Sequence, residues 1–357
     1  MKAITVIPGE KYSADLRDVP IPSINENEVL IRSTQVGICG TDREIHEGLY
    51  GTAPKNEQYL ILGHESSGVV AKVGKNVSGI SIGQRVVRLV RRPCSGCENC
   101  NTGMNDMCST GNFIESGIKE LHGSMAEYFK DQSEYLISIP HELCEVSVLL
   151  EPLSVVEKAY RQAKEIQQRL SWKPKKALIM GAGPIGILQA MLLRDSGLDV
   201  SVVARSLPGN RKSKIIEKIG AQYLSTSLYS LDAILKSVGK VDFVVEASGD
   251  SQLAFDAMSA IGNNGVVCLT SITGGEKEIT IPADKINLDY VLGNKVAFGT
   301  VNANQRDYVQ GVRSLERFMN QWPEVLPDMI TRRFPLVQFE QAFQLMSDDI
   351  KVILKPF

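Results

Sequence analysis

Cys94, Cys97, Cys100 and Cys108 fall in one fifteen-residue stretch. The spacing Cys-x2-Cys-x2-Cys-x7-Cys brings four thiolates within reach of one tetrahedral ion. Four sulfurs close the coordination shell, so such an ion would be structural. Iron–sulfur ligation is the competing chemistry, because paired Cys-x2-Cys steps also open ferredoxin motifs. The long last gap and the lack of a following proline disfavour it. Disulfides would suit a small secreted chain, but the N-terminal run reaches Pro8 too early to hold a signal-peptide core. A second group is dispersed: Cys39 in the run Gly37 to Asp42, His64 and Glu65 after Gly63, and Glu151 ahead of Pro152. Each has an ordinary alternative, as a small buried hydrophobe, a core histidine or a helix-terminal acid. Spacing alone does not join them.

A third group points to a dinucleotide. Gly181, Gly183 and Gly186, with Pro184 and Ile185 between the last two, form a G-x-G-x-x-G set after an apolar strand and before a helix. The first glycine permits a tight turn, the second lets the backbone approach a pyrophosphate, and the third lets helix and strand pack closely. The helix N-terminus adds free N–H groups and a partial positive charge. The alternative, a purely structural turn, has the same glycines but no need of this context. An NAD site usually carries Asp or Glu at the end of the second strand. Here that strand ends Val203-Ala204-Arg205-Ser206, and Asp199 lies at its start. Arg205 with Ser206, and Arg211 nearby, suits a 2′-phosphate through charge-assisted hydrogen bonds. NADP is therefore the preferred cofactor and NAD the alternative; a solvated loop arginine is the bland reading.

These groups need elements to position them. The 357 residues suffice for two domains with a sizeable core. With 39 Lys+Arg against 41 Asp+Glu, net charge −2, the chain has no bulk electrostatic reason to bind nucleic acid or an anionic membrane. The longest uncharged run, Ala177 to Leu193, holds three glycines, a proline and a glutamine, and is shorter than the ~20 residues of a spanning helix. Residues 1–155 read as mostly β, with short β-branched runs such as Val29 to Ile31, Gly68 to Val73 and Arg85 to Val90. Val146 to Leu170 has helical periodicity apart from Pro152, and bridges to the second half. From Lys175 strands alternate with helices: Ala177 to Met180, Pro184 to Asp195, Asp199 to Ala204, Ser213 to Ile219, Val241 to Glu246, Leu253 to Ile261 and Gly265 to Leu269. This alternation predicts a doubly wound parallel sheet over 156–304. The tail, 305–357, has a helix from about Gln305 to Asn320 and a strand at Val352 to Leu354, and is expected to return to the first domain. Cys144 and Cys268 read as core residues.

In their order along the chain, the Gly37–Asp42 run, Gly63-His64-Glu65, the four-cysteine lobe (about 91–112) and the glycine-rich turn resemble the zinc-dependent medium-chain alcohol dehydrogenases. The resemblance covers essentially the whole chain. It implies an α/β protein with a GroES-like β-rich catalytic domain and a Rossmann nucleotide-binding domain. Within the family, the run Glu151 to Ala159, the run Cys39 to Glu44, and Val301-Asn302 after Phe298-Gly299-Thr300 look most like the archaeal-type glucose 1-dehydrogenases. That likeness makes Cys39 and His64 catalytic zinc ligands, with Glu65 a direct or exchangeable one. Glu151 would hold the zinc directly or through water and touch substrate. Thr41 would begin a proton relay; His46 is a weaker candidate to continue it, its offset from Cys39 being unusual. Glu115, Asn302, Thr41 and Glu151 would contact the sugar. Further dinucleotide contacts are expected at Thr270, Ser271, Ile272, Thr300, Val301 and Asn302.

The resemblance thus implies two zinc ions per chain, one catalytic and one structural, and oxidation of an aldose such as glucose at C1 to the lactone, with hydride passing to NADP. Sorbitol-like polyol oxidation is the nearest alternative. A zinc-stabilised nucleotide sensor that has lost catalysis is the alternative of another class, and the intact set Cys39, Thr41, His64, Glu65 and Glu151 speaks against it. A small-molecule sugar is the expected partner, with no nucleic acid or membrane. A dimer or tetramer and a cytoplasmic location are expected.

Overall fold

The computed structural model describes residues 1–272 and 277–357. The chain divides into two compact units, one of 1–154, 302–316 and 330–357 and the other of 155–301 and 317–329. The chain passes from the first to the second inside the helix Leu150–Ile166.

The second unit is a six-stranded parallel sheet. Its strands are Lys176–Met180, Asp199–Ala204, Gln222–Ser225, Val241–Glu246, Ile261–Leu269 and Val296–Gly299, and numbered along the chain they lie side by side in the order 3-2-1-4-5-6. The central strands are near-continuous apolar runs, as a sheet buried on both faces requires. Leu178, Met180, Val203, Val244 and Val267 form one core cluster. The strand order reverses beside Lys176–Met180, which creates the crevice where doubly wound sheets bind ligands. Two strands escape sequence reading for opposite reasons. Gln222–Ser225 is four residues long and half polar, and Val296–Gly299 is a half-exposed edge. Helix Pro184–Asp195 starts at its proline, whose missing N–H costs nothing in the first turn.

The first unit is built on a seven-stranded sheet. The path runs Leu136–Ser138, Arg85–Arg88, Glu65–Val73, Glu28–Gly37, Lys351–Lys355 and Ile330–Pro335, and Tyr128–Gln132 also pairs with Glu28–Gly37. The C-terminal strand thus lies against Glu28–Gly37, with Ile353 opposite Gly37. Val36, Ile38, Ile45, Leu62, Met125, Val352 and Leu354 share one core cluster, so residues from both ends of the chain fill the same interior. Helix Gly40–His46 follows the long strand directly, where sequence periodicity offers too few residues to detect it. A small sheet of Arg91–Arg92, Ile114–Ser116 and Glu120–Leu121 frames the cysteine lobe.

Candidate active site

Cys39 is the residue capping helix Gly40–His46, so its side chain stands at the end of a buried strand and the start of a helix. Asp42, at the third helical position, reaches back and accepts the Cys39 N–H on Oδ2 at 2.8 Å. Its Oδ1 accepts the Gly63 N–H at 3.3 Å and lies 3.5 Å from Nδ1 of His64. The fully buried Asp42 therefore ties the cysteine loop to the histidine loop and places its charge beside the imidazole, where carboxylates stand behind metal-ligating histidines. Glu65 opens the strand that pairs with Gly37. A Cβ on Gly37 would come within 2.0 Å of Glu65 Oε2, so only glycine leaves room for that carboxylate.

One ligand atom each from Cys39, His64 and Glu65 lies within 4.8 Å of the others. A thiol, an imidazole and a carboxylate are the donor types zinc takes in catalytic sites, so the residues fit the ion that the motifs imply. Glu65 has a further partner that the sequence did not reveal. Nζ of Lys351, 286 residues away, lies 2.6 Å from each of its oxygens, and both side chains are 2% exposed. Glu151 sits in the first turn of helix Leu150–Ile166 and stands outside the three-residue set. Burial pushes its carboxyl up to about 7; Glu65 and Asp42 add to the rise, and His64 and Lys351 oppose it.

Thr41 is half-buried, one residue before Asp42. His46, the weaker relay candidate, is the last residue of the same helix. Its ring packs edge-on against Tyr12 and Phe343, with centroids at 5.4 and 5.6 Å, and burial lowers its pKa. Among the described residues its buried Nδ1 has no partner. Glu115 and Asn302, 187 residues apart, meet directly: Asn302 Nδ2 donates to Glu115 Oε1 at 2.7 Å.

The four lobe sulfurs also gather within 4.8 Å of one another. The backbone N–H groups of Cys100 and Ser109 pull the Cys97 thiol down to about 5, so the peptide chain itself favours a thiolate there. This fits a closed four-sulfur metal site. Replacing Cys97 by serine should lower the melting temperature and release the lobe's metal while leaving the nucleotide affinity intact, because ligand loss removes binding energy that belongs to folding. Unchanged metal content with unchanged melting would contradict the assignment.

In the second unit, a Cβ on Gly186 would meet the Gly181 carbonyl oxygen at 1.9 Å, and one on Gly181, where φ is +119°, the Ala247 carbonyl oxygen at 2.5 Å. These two glycines are thus required by close backbone approach. Beside them lies an unforeseen group, the buried Glu246 at the end of its strand. It accepts hydrogen bonds from the Ser248 N–H at 2.7 Å, the Ser248 hydroxyl at 2.6 Å and the Ser271 hydroxyl. The Thr270 N–H and hydroxyl both donate to its backbone oxygen. Glu246 therefore ties together two loops at the carboxyl edge of the sheet, one of which carries Thr270, Ser271 and Ile272. Lys158, 1% exposed, donates to the Val301 carbonyl at 2.8 Å. Arg205 is exposed just past its strand, and among the described residues its guanidinium has no partner. Ser206 is engaged: its hydroxyl lies 2.7 Å from the Tyr223 hydroxyl, which donates to the Ser206 carbonyl.

Residues 25–141 match the alcohol dehydrogenase GroES-like domain, and residues 144–355 match the glucose dehydrogenase C-terminus. The chain is 41% identical to a glucose 1-dehydrogenase of Methanocella arvoryzae, across 99% of each chain. It is 40% identical to a glucose 1-dehydrogenase of Caldivirga maquilingensis, again across 99% of each. Among solved structures, it resembles Haloferax mediterranei glucose dehydrogenase in complex with NADP, Zn and gluconolactone, with a TM-score of 0.91, 31% identity and 99% coverage of both chains. The chain belongs to the zinc-dependent medium-chain alcohol dehydrogenases, in their glucose dehydrogenase branch.

Proposed function

We infer that this protein oxidises glucose at C1, yielding gluconolactone, a proton and NADPH from glucose and NADP⁺. The observation that carries the reading is the Glu115–Asn302 pair, buried in the same unit as the Cys39, His64 and Glu65 donor set. A hydrophobic alcohol would leave the remaining acceptor of this pair, Glu115 Oε2, unmet at about 1–3 kcal/mol, whereas a polyhydroxylated sugar bonds to it. Relatives that share nearly the full length of the chain are glucose dehydrogenases, which supports the same substrate.

When bound, zinc supplies Lewis acidity toward the C1 hydroxyl and the oxidised nicotinamide accepts the hydride. Cys39, His64 and Glu65 would hold the metal, with the Asp42 carboxylate facing the imidazole from behind. Lys351 Nζ lies 2.6 Å from both Glu65 oxygens, so of the three ligands Glu65 is the one with a second cationic partner and is assigned as the exchangeable one. Thr41 accepts a hydrogen bond from the C1 hydroxyl and hands its own hydroxyl proton onward, so that the proton passes outward, and Glu151 accepts hydrogen bonds from sugar hydroxyls. The glycine-rich turn and the loops tied by Glu246 hold the dinucleotide. Initial rates with glucose and with sorbitol, before and after chelation, test the reading. Glucose should be fast and chelator-sensitive, with a lactone appearing before the sugar acid; rapid ketose formation from sorbitol with glucose inert would overturn it.

Cofactor preference is assigned to Arg205, whose side chain is free to meet a 2′-phosphate. Arg205→Ala should raise KM for NADP⁺ about ten- to a hundredfold, the equivalent of about 1.5–3 kcal/mol, and spare NAD⁺. Equal losses for both cofactors would reduce Arg205 to a general contact. Glu115→Ala should lower kcat/KM for glucose by about tenfold or more without weakening NADP⁺ binding.

The proposed assembly is a homo-oligomer. The edge strand Val296–Gly299 leaves one side of the sheet open, and Leu288, Val291 and Leu292 are 59%, 69% and 72% exposed. Unpaired edges and clustered exposed apolar residues are features that natural chains cover. Light scattering of the purified protein reads the assembly directly. Among the described residues, no helix is long and apolar enough to cross a membrane. A cytoplasmic location is proposed because the lobe cysteines must stay reduced to hold metal.

A further inference from the structure

Glu115 and Asn302 are held by residues with no assigned part in the reaction. Glu115 is 5% exposed, and its Oε1 receives two donors, Arg91 Nε at 3.0 Å and Asn302 Nδ2 at 2.7 Å, with Arg91 Nη2 in ion-pair contact at 2.9 Å. Among the described residues this leaves Oε2 without a donor, which is the arrangement a sugar hydroxyl can complete. Arg91 is itself buried, with its guanidinium 3.7 Å from the centre of the Phe113 ring. Its Nη1 donates to the Asp106 carbonyl at 3.1 Å, and Asn105 Nδ2 donates to the Arg91 carbonyl at 2.7 Å. Asp106 Oδ1 accepts from Asn304 Nδ2 at 2.9 Å, two residues beyond Asn302.

Asn105 and Asp106 lie in the single helical turn Asn105–Met107, between the lobe cysteines Cys100 and Cys108. The lobe therefore grips both partners of Glu115: Arg91 through the turn, and the Asn302 segment through Asn304. Asn302 has φ +60°, a left-handed conformation that persists only where the surroundings hold it. A buried carboxylate with a fixed cation on one oxygen is also held in one orientation, so a hydroxyl meets it without reorganisation.

We propose that Arg91, Asp106 and Asn304 are positioning residues for the sugar, fastening the Glu115–Asn302 pair to the cysteine lobe. The proposal rests on the reading of that pair as sugar contacts. It gives the lobe a second consequence besides stability: its inner turn sets the affinity for the substrate and leaves the affinity for the nucleotide alone.

The test compares Asn304→Ala, Arg91→Lys, Asp106→Ala and Asp106→Asn with Glu115→Ala as reference, measuring KM for glucose and for NADP⁺ separately, glucose binding by calorimetry, and melting temperature. Asn304→Ala and Arg91→Lys should raise KM for glucose about three- to tenfold, as expected for one lost or misaligned hydrogen bond, with KM for NADP⁺ within twofold. Asp106→Asn keeps an acceptor for Asn304 and should bind glucose nearly as the wild type does, whereas Asp106→Ala should not. If Asp106→Ala fails to fold, Asn304→Ala decides: it removes the bond to Asp106 together with the acceptor of the Arg306 N–H at 3.1 Å, and the melting temperature reports the second loss separately from the glucose KM. Glucose affinity within twofold of wild type in Asn304→Ala and Arg91→Lys, or parallel losses for sugar and nucleotide, would overturn the positioning role while leaving the sugar contacts standing. An unchanged glucose KM in Glu115→Ala would overturn the contact reading itself, and the positioning role with it.

Discussion

Replacing His64 by alanine should lower kcat at least about a thousandfold while the protein stays folded and still binds NADP⁺. The imidazole is one of three donors gathered within 4.8 Å, and a site reduced to Cys39 and Glu65 retains too few ligands to hold zinc against solvent. Losing a Lewis acid forfeits several kcal/mol of transition-state stabilisation, and each 1.4 kcal/mol is about a tenfold change in rate. Metal analysis should find the lobe's ion retained and the other gone, the converse of Cys97→Ser. Asp42→Asn offers a graded companion. It keeps the shape but removes the charge facing His64 and should impair turnover less, by about ten- to a hundredfold. Substantial activity in His64→Ala at full purity would remove His64 from the metal site.

Lys351→Met should destabilise the metal-free protein by about 3–5 kcal/mol, because it leaves the Glu65 carboxylate buried without its cation. The pair is 2% exposed on both sides and both carboxylate oxygens lie 2.6 Å from the ammonium, so no solvent is at hand to take over. Methionine fills a similar volume and keeps packing losses small. The double variant Glu65→Gln/Lys351→Met should recover much of the loss, since removing both charges removes the uncompensated one. Denaturant unfolding of the chelated proteins gives the cycle, and the coupling should exceed about 1 kcal/mol. Additive effects in the two single variants would show that the ammonium does not neutralise the carboxylate. The result bears on chemistry as well as stability, because the ammonium and the metal would share the same carboxylate oxygens.

What the chain encodes locally could be read from it. The central strands Asp199–Ala204 and Val241–Glu246 are short apolar runs bounded by turn residues, and helix Pro184–Asp195 announces itself by a proline at its first position. The glycine-rich turn and the four-cysteine lobe are likewise contained in short stretches, where residue type and spacing already specify the backbone or the ligand shell. The helix read over Val146 to Leu170 is α-helical over Leu150–Ile166, with tighter turns on either side, which is the usual fraying of helix ends. The half-polar strand Gln222–Ser225 and the edge strand Val296–Gly299 carry too weak a pattern to be seen, since their burial comes from one neighbour or one face only.

The site depended on more than local pattern. Residue types and family resemblance placed Cys39, His64, Glu65, Glu115 and Asn302 among the candidates, but no spacing rule links Glu65 to Lys351 or Glu115 to Arg91 and Asn302. Those partners are chosen by sheet register. Gly37 lies opposite both Glu65 and Ile353, so the C-terminal strand brings its lysine onto the glutamate. A sequence therefore determines which groups can hold a metal, a phosphate or a hydroxyl, because that follows from covalent chemistry. Only the tertiary structure decides which charges share a buried site, because desolvation makes a partner obligatory, and strand pairing, not proximity along the chain, supplies it.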